Sequence, residues 1–193
     1  CLLSRGLGDV YKRQVKMVAV FFIIMGLTAL ERLYELSVAY RNRKWSMSQG
    51  GFETGQSHYP FMVILHTGFL FACVVEPLLM KREFIPWLGY PMISLAMACQ
   101  WLRWWCITTL GKQWNTRVII VPGLNRINKG PYQFVPHPNY IAVALEGLAL
   151  PLIMTAYWTA IGFTLLNAVL MVLRIRTEND ALNRLKSMTG DQA

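Results

Sequence analysis

The chain has 193 residues, a formal net charge of +9 and a composition that is 54% hydrophobic and only 15% charged, with a mean hydropathy of +0.35. That balance is unusual for a soluble domain and points to a membrane protein. Nucleic acid is the other partner a positive charge suggests, but the cations are spread over loops flanking apolar stretches, with no stacking module or basic repeat, which argues against it.

Residues 1–14 have neither the length nor the apolar run of a signal peptide. Gly8-Asp-Val-Tyr-Lys-Arg-Gln14 resembles translated adaptor sequence, so 1–14 is read as a non-native leader and 15–193 as one domain. A helix that crosses a bilayer needs about 20 apolar residues. Such stretches run over 17–39, 60–80 and 85–109. A further one, 139–173, is too long for one crossing and is interrupted between Pro151 and Trp158, which predicts two helices in a tight hairpin. The expected fold is therefore all-α: a polytopic membrane bundle of about five transmembrane helices, the last two a hairpin, with no internal repeat. Between the first two helices, the 42–59 loop carries Gly50, Gly51 and Gly55 and is expected to be the most flexible segment.

Lys and Arg set the orientation, because cytoplasmic loops carry the excess. Arg41, Arg43 and Lys44 follow the first span, Lys112, Arg117, Arg126 and Lys129 lie between the third and fourth, and Arg174, Arg176, Arg184 and Lys186 follow the fifth. All three groups share one side if the N-terminus lies outside and the C-terminus in the cytoplasm. No acidic residue occurs between Glu83 and Glu146, so the 111–138 loop reads as a cationic surface beside anionic headgroups.

Cys1, Cys73, Cys99 and Cys106 lack close-pair spacing, and His58, His66 and His137 have no second ligand nearby in sequence. Disulfides and a bound metal are not expected. Ionisable groups inside spans are costly and usually face the bundle interior. Glu31, Arg32 and Glu35 lie on one broad face of the first helix, Glu76 is in the second, and Gln100 and Arg103 share a face of the third. One reading is mutual neutralisation, Arg32 with Glu35 and Arg103 with Glu76 or Glu31; the other is that some of them line a substrate pocket.

The polar run Lys129-Gly-Pro-Tyr-Gln-Phe-Val-Pro-His-Pro-Asn-Tyr140 leads directly into the fourth span. Pro138 suits the first turn of a helix, and His137, preceding a proline, is held in an extended conformation. The resulting helix N-terminus is ringed by His137, Asn139 and Tyr140, and Gly130-Pro131 marks a turn that brings Tyr132 towards it. Such an end suits a carboxylate or phosphate, although the same residues also serve simply to start a helix. Beyond the fifth span, Arg174 with Glu178 and Arg176 with Asp180 are i, i+4 pairs in the weaker Arg-first order, and they read either as a solvated charged end or as groups that reach something else.

These two segments, with Glu146 between them, resemble the C-terminal signature of the isoprenylcysteine carboxyl methyltransferase family: Gly-x-Tyr, then Arg-His-Pro-x-Tyr, a glutamate in the next helix and Arg-x-x-Glu-Glu. Glu31-Arg-Leu-Tyr-Glu35, Arg41-Asn-Arg-Lys-Trp45 and Leu110-Gly-Lys-Gln-Trp-Asn-Thr-Arg117 extend the similarity to the family's short bacterial branch. The resemblance covers most of the chain after residue 15. It implies an S-adenosylmethionine-binding region over about 111–186, in which Tyr132, His137, Pro138, Asn139 and Tyr140 hold the cofactor and Leu124, Asn125, Arg126 and Ile127 border its adenosyl part. Arg176 and Asp180 match the positions that engage the substrate head group. Pro136 stands where the family has Arg, leaving Arg126 or Lys129 to supply a cationic contact, and Asn179 replaces a glutamate.

Methyl transfer from a sulfonium needs a nucleophile held in line in a site that excludes water. A carboxylate acceptor needs no base; a phenol or enol does, and Glu146, Asp180 and His137 are the candidates. Tyr132, Tyr140 and Trp114 are candidate cation–π faces for the sulfonium. The resemblance thus implies O-methylation of a lipid-tailed acceptor, an alkylated phenol or pyrone rather than a prenylated protein. The site would face the cytoplasm from a bacterial cytoplasmic membrane. Two other readings stand beside it. One is a sterol-reductase-like enzyme using NADPH; the other is a transporter with Glu76 and Arg103 on its path.

Overall fold

A computed structural model describes the backbone of residues 2–124 and 127–189. Among these, five α-helices and one two-stranded ribbon follow in the order α1 (Leu2–Ser48), β1 (Phe52–Thr54), α2 (Tyr59–Leu79), α3 (Pro86–Leu110), β2 (Val118–Ile120), α4 (Pro138–Leu152) and α5 (Tyr157–Thr189), with short 3-10 turns at Gln56–His58, Gly111–Gln113 and Gly130–Gln133. The helices start where proline allows: α2, α3 and α4 each carry one at their first or second position, where its missing N–H costs no hydrogen bond.

Three helical segments, Gly8–Ser48, Gln56–Leu79 and Tyr157–Asp180, are long and apolar enough to cross a membrane. The hairpin expected between Pro151 and Trp158 is present. Thr155 takes a left-handed φ of 51°, and the Ala156 N–H returns to the Pro151 carbonyl at 2.9 Å. The resulting α4 has 15 residues, about 22 Å at 1.5 Å per residue. That is shorter than the ~30 Å hydrocarbon layer, so α4 alone does not cross it.

All five helices contribute to one core. Met17, Phe21 and Met25 of α1, Phe69 and Cys73 of α2, Ala96 of α3, Ala149 and Leu150 of α4 and Phe163 of α5 pack in a single buried cluster. Lipid is as apolar as leucine, so helix association here relies on close packing. Ala142 and Ala149 are fully buried on α4, and the bare face of Gly147 receives the Phe163 ring where a Cβ would collide with it. Outward, Leu27, Leu30 and Leu33 of α1, Phe71 of α2, Trp101 of α3 and Leu165 and Val169 of α5 are exposed, as a lipid-facing belt requires.

At one end of the bundle the start of α1, the α2–α3 loop and the α4–α5 turn meet. Gln14 exchanges two hydrogen bonds with the backbone of Phe84, at 3.0 and 2.9 Å, and Thr155 donates to the Glu83 carbonyl at 3.1 Å. Gln14 belongs to the stretch read from sequence as a leader; here it is tied to the fold. At the other end lie the close of α1, the ribbon, the 111–137 connection, the N-terminus of α4 and the outer part of α5. The described members of the three basic groups, Arg41, Arg43 and Lys44, Lys112, Arg117 and Lys129, and Arg174 and Arg176, are therefore gathered at one end.

The glycine-rich 42–59 segment departs from the expected flexible loop. α1 continues to Ser48, and β1 then pairs antiparallel with β2, Phe52 opposite Ile120, Glu53 opposite Ile119 and Thr54 opposite Val118. The ribbon also qualifies the cationic surface: Glu53 receives Arg117 at 2.5 Å and Arg43 at 3.1 Å, and the Arg117 guanidinium lies 3.9 Å from the Tyr59 ring centroid. An acid distant in sequence neutralises cations that the 111–138 stretch could not neutralise itself.

Candidate functional site

The charges of α1, α3 and α4 form a network of ion pairs. Arg32 reaches Glu35 at 2.7 Å and both oxygens of Glu146 at 2.6 and 2.7 Å, with the Gln100 carbonyl oxygen at 3.3 Å. Arg103 grips the other side of Glu35 at 3.1 and 2.5 Å. The expected Arg32–Glu35 pair is thus present, whereas Arg103 pairs with Glu35 rather than Glu76 or Glu31. The reason is helix register, since Glu35 lies one turn beyond Glu31 on the face of α1 that meets α3. Glu76 serves elsewhere. Its carboxylate accepts the Trp158 and Thr159 N–H groups and the Thr159 hydroxyl at 3.3, 2.7 and 2.8 Å, which caps the positive N-terminal end of α5. Glu76 and Arg103 therefore belong to separate sets of contacts.

A second polar cluster surrounds the start of α4. His137 sits at φ −134°, ψ 61°, held off the helical region by Pro138, and its ring stacks on Tyr140 with centroids 5.1 Å apart. Tyr140 Oη donates to Glu178 Oε2 at 2.9 Å and accepts from Arg174 Nε at 2.9 Å. His137 Nδ1 lies 4.0 Å from the same Glu178 oxygen. A hairpin of antiparallel helices makes this possible: α4 starts where α5 leaves the apolar layer, so the tail reaches the site as a continuous helix without folding back.

Between these residues and the connection after α3 lies a cavity of about 240 Å³, lined by Trp114, Asn115, Val118, Ile120, Leu124, Ile127, Tyr132, His137, Asn139, Tyr140, Arg174 and Glu178, among others. Gly130 adopts φ 55° and packs so closely on Thr109 that a Cβ would lie 2.6 Å from its hydroxyl. This turn delivers Tyr132 into the wall. Burial pushes the Tyr132 phenol above its ordinary pKa, and its hydrogen bond with the Cys106 thiol adds to the shift; the group stays a neutral donor at physiological pH.

Of the residues singled out from sequence, Leu124, Ile127, Tyr132, His137, Asn139 and Tyr140 line this cavity together. Pro138 is fully buried behind them as the first residue of α4. Asn125 and Arg126 lie outside the described residues. Glu146 is 6% exposed and occupied by Arg32. Arg176 and Asp180 are exposed and do not line the cavity; Arg174 and Glu178 do. At 100° per residue, positions 174 and 178 are nearly in line on α5, and position 176 points about 200° away.

Sequence reasoning noted Arg174 and Glu178 as a pair but did not select them, and it missed the wall formed by Asn115, Val118 and Ile120. The Arg-first order is no signal for that choice, because Arg176 and Asp180 share it; the azimuth of α5 decides it. Nor did any signal mark the wall, which exists only through pairing of β2 with β1.

Comparison with known proteins follows the same residues. The isoprenylcysteine carboxyl methyltransferase (ICMT) family model matches residues 92–184. The chain is 39% identical over 163 residues to the uncharacterized protein YpbQ of Bacillus subtilis, covering 84% of this chain and 96% of that protein. It is 26% identical over 158 residues to an uncharacterized protein of Haemophilus influenzae, covering 80% and 90% respectively. No solved structure matches the chain.

Proposed function

The chain belongs to the isoprenylcysteine carboxyl methyltransferase family, and from that membership we propose that it is a membrane O-methyltransferase that uses S-adenosylmethionine on a lipophilic carboxylate, phenol or enol. The observation that carries this reading is the cavity at the α4 N-terminus, where His137, Asn139 and Tyr140 face Arg174 and Glu178 across one small space.

The residues present fit the cofactor's chemistry. Asn115 Nδ2 and Asn139 Oδ1 are buried without a protein partner, as expected of groups that hold a polar ligand. Val118, Ile120, Leu124 and Ile127 offer apolar walls for a heterocycle, and Glu178 and Arg174 offer one charge of each sign to an ammonium and a carboxylate. When bound, S-adenosylmethionine supplies a methyl group on a sulfonium, and the C–S bonding pair returns to sulfur as the acceptor oxygen forms its bond to carbon.

The chain's own residues then have three tasks. Tyr140, clamped between Arg174 and Glu178, fixes the two charged groups relative to each other, and such preorganisation is a principal source of rate. The ring of Tyr140 is already stacked on His137 and lies 5.6 Å from the Arg174 guanidinium, so Tyr132 and Trp114 are the faces left for a sulfonium. Glu178, with His137 beside it, is placed to take the proton of a phenol or enol acceptor; a carboxylate acceptor leaves that step idle. Glu146, both oxygens on Arg32, acts by holding α1 against α4. The site lies at the N-terminus of α4, where an apolar tail would approach from the lipid while the cofactor enters from the basic end. That end is assigned to the cytoplasm by its excess of Lys and Arg.

The test is direct. Protein purified in detergent is titrated with S-adenosylmethionine by calorimetry, then incubated with methyl-labelled cofactor and lipid-tailed carboxylates or alkylphenols. Saturable binding and label transfer to one acceptor class are expected, with transfer lost in His137→Ala. Absence of binding, or transfer equal in wild type and variant, overturns the reading.

A further inference from the structure

The ion pairs of the ribbon leave part of the basic end without counter-charge. Glu53 takes Arg43 and Arg117, whereas Arg41, Lys44 and Lys112 are exposed and make no ion pair among the described residues. Their own segments hold no acid, since none occurs between Glu35 and Glu53 or between Glu83 and Glu146. Two of the three lie over aromatic rings: Lys44 Nζ is 4.7 Å from the Tyr40 centroid, and Lys112 Nζ is 5.7 Å from that of Trp45. Lys112 comes from a different element and is brought to α1 by Asn42, which donates to the Gly111 and Trp114 carbonyls at 3.0 and 2.7 Å.

Position on α1 says what this patch meets. At 100° per residue, Leu33, Leu36, Tyr40, Arg41 and Lys44 fall on one face about 140° wide, and all five are exposed. The lipid-facing leucines therefore run without a break into a tyrosine and then into cations. From Leu36 to Lys44 the helix rises about 12 Å at 1.5 Å per residue. That is the order of layers in one bilayer leaflet: acyl chains, an aromatic belt at the interface, then headgroups. We propose that Arg41, Lys44 and Lys112 form a binding surface for an anionic phospholipid, with the lipid phosphate held among the three cations. Cations at this depth are attracted to a negative leaflet, and the Tyr40 and Trp45 rings hold the two lysines in place by cation–π attraction. The surface is separate from the cavity at α4, so it stands or falls independently of the cofactor reading.

The experiment releases the full chain from detergent for native mass spectrometry with phosphatidylglycerol or with phosphatidylcholine of the same acyl chains, and reads the Kd of the first lipid bound. Neither a methyl donor nor an acceptor is needed. Wild type is expected to bind the anionic lipid about tenfold more tightly. The triple variant Arg41→Gln, Lys44→Gln and Lys112→Gln, checked for an unchanged thermal melt, is expected to bring that ratio towards one. Arg176→Gln removes a cation from the same end but outside the patch, and should leave the ratio near its wild-type value. Equal affinity of wild type for both lipids overturns the proposal, and this arm depends on no variant folding; a patch that then holds inorganic phosphate serves a free anion instead. A preference kept by the folded triple variant overturns it as well. So does an equal loss in Arg176→Gln, which would make overall charge the cause.

Discussion

Two charged clusters share α4, about two turns apart, and they differ in what they leave unpaired. Around Glu146, the charges of Arg32, Glu35 and Arg103 are matched at 2.5–3.1 Å. Around Tyr140, equally polar side chains border a space of about 240 Å³, and two buried amide atoms have no partner. A set of buried ion pairs holds helices in register, even with one oxygen of the neighbouring Glu31 left without a partner; polar groups that border an open space can meet a ligand. Charge inside a membrane protein therefore does not mark a site by itself, and a cavity beside the polar groups is the better guide.

Three substitutions would break or sharpen this contrast. The largest effect is expected from Arg103→Leu, which leaves Glu35 with half of its partners. Breaking a buried pair costs about 3–5 kcal/mol, and the variant should fall sharply in folded yield and melting temperature in detergent. The double variant Arg103→Leu with Glu35→Leu should recover much of that loss; no recovery would mean that the network does more than neutralise charge. Next is Arg174→Ala. It should lower kcat/KM for methyl transfer about a hundredfold, the scale of losing one preorganised donor, while the melting temperature stays near wild type. A melting loss as large as that of Arg103→Leu would place Arg174 with the structural cluster. The smallest effect is expected from Arg176→Ala, exposed on the far side of α5: less than about twofold in kcat/KM, in keeping with the ~0.5 kcal/mol typical of surface changes. A hundredfold loss there would show that the helix presents its other face to substrate.

Much of the architecture was legible because membrane helices announce themselves by length and hydropathy. The stretches at 60–80 and 85–109 lie within a residue or so of the helices α2 and α3, although α3 is not among the three helices apolar enough to cross a membrane, and the break between Pro151 and Trp158 is the observed hairpin turn. The start of the site was legible for a similar reason: proline after His137 dictates where α4 can begin. The partner of Arg103, the ribbon and the placing of Arg174 rather than Arg176 at the cavity were not, because each depends on rotation or pairing between residues 34 to 68 apart.

By itself, then, the sequence determined that apolar helices form, where α2, α3 and α4 begin, and which polar loop stands at the mouth of α4, since these follow from local chemistry and solvent; α1 and α5 run well beyond their apolar stretches. Tertiary structure alone decided which side chains meet there. Facing across a cavity is a property of helix azimuth and strand register, and a shift of two residues along α5 turns a side chain about 200°, from the site to the outside.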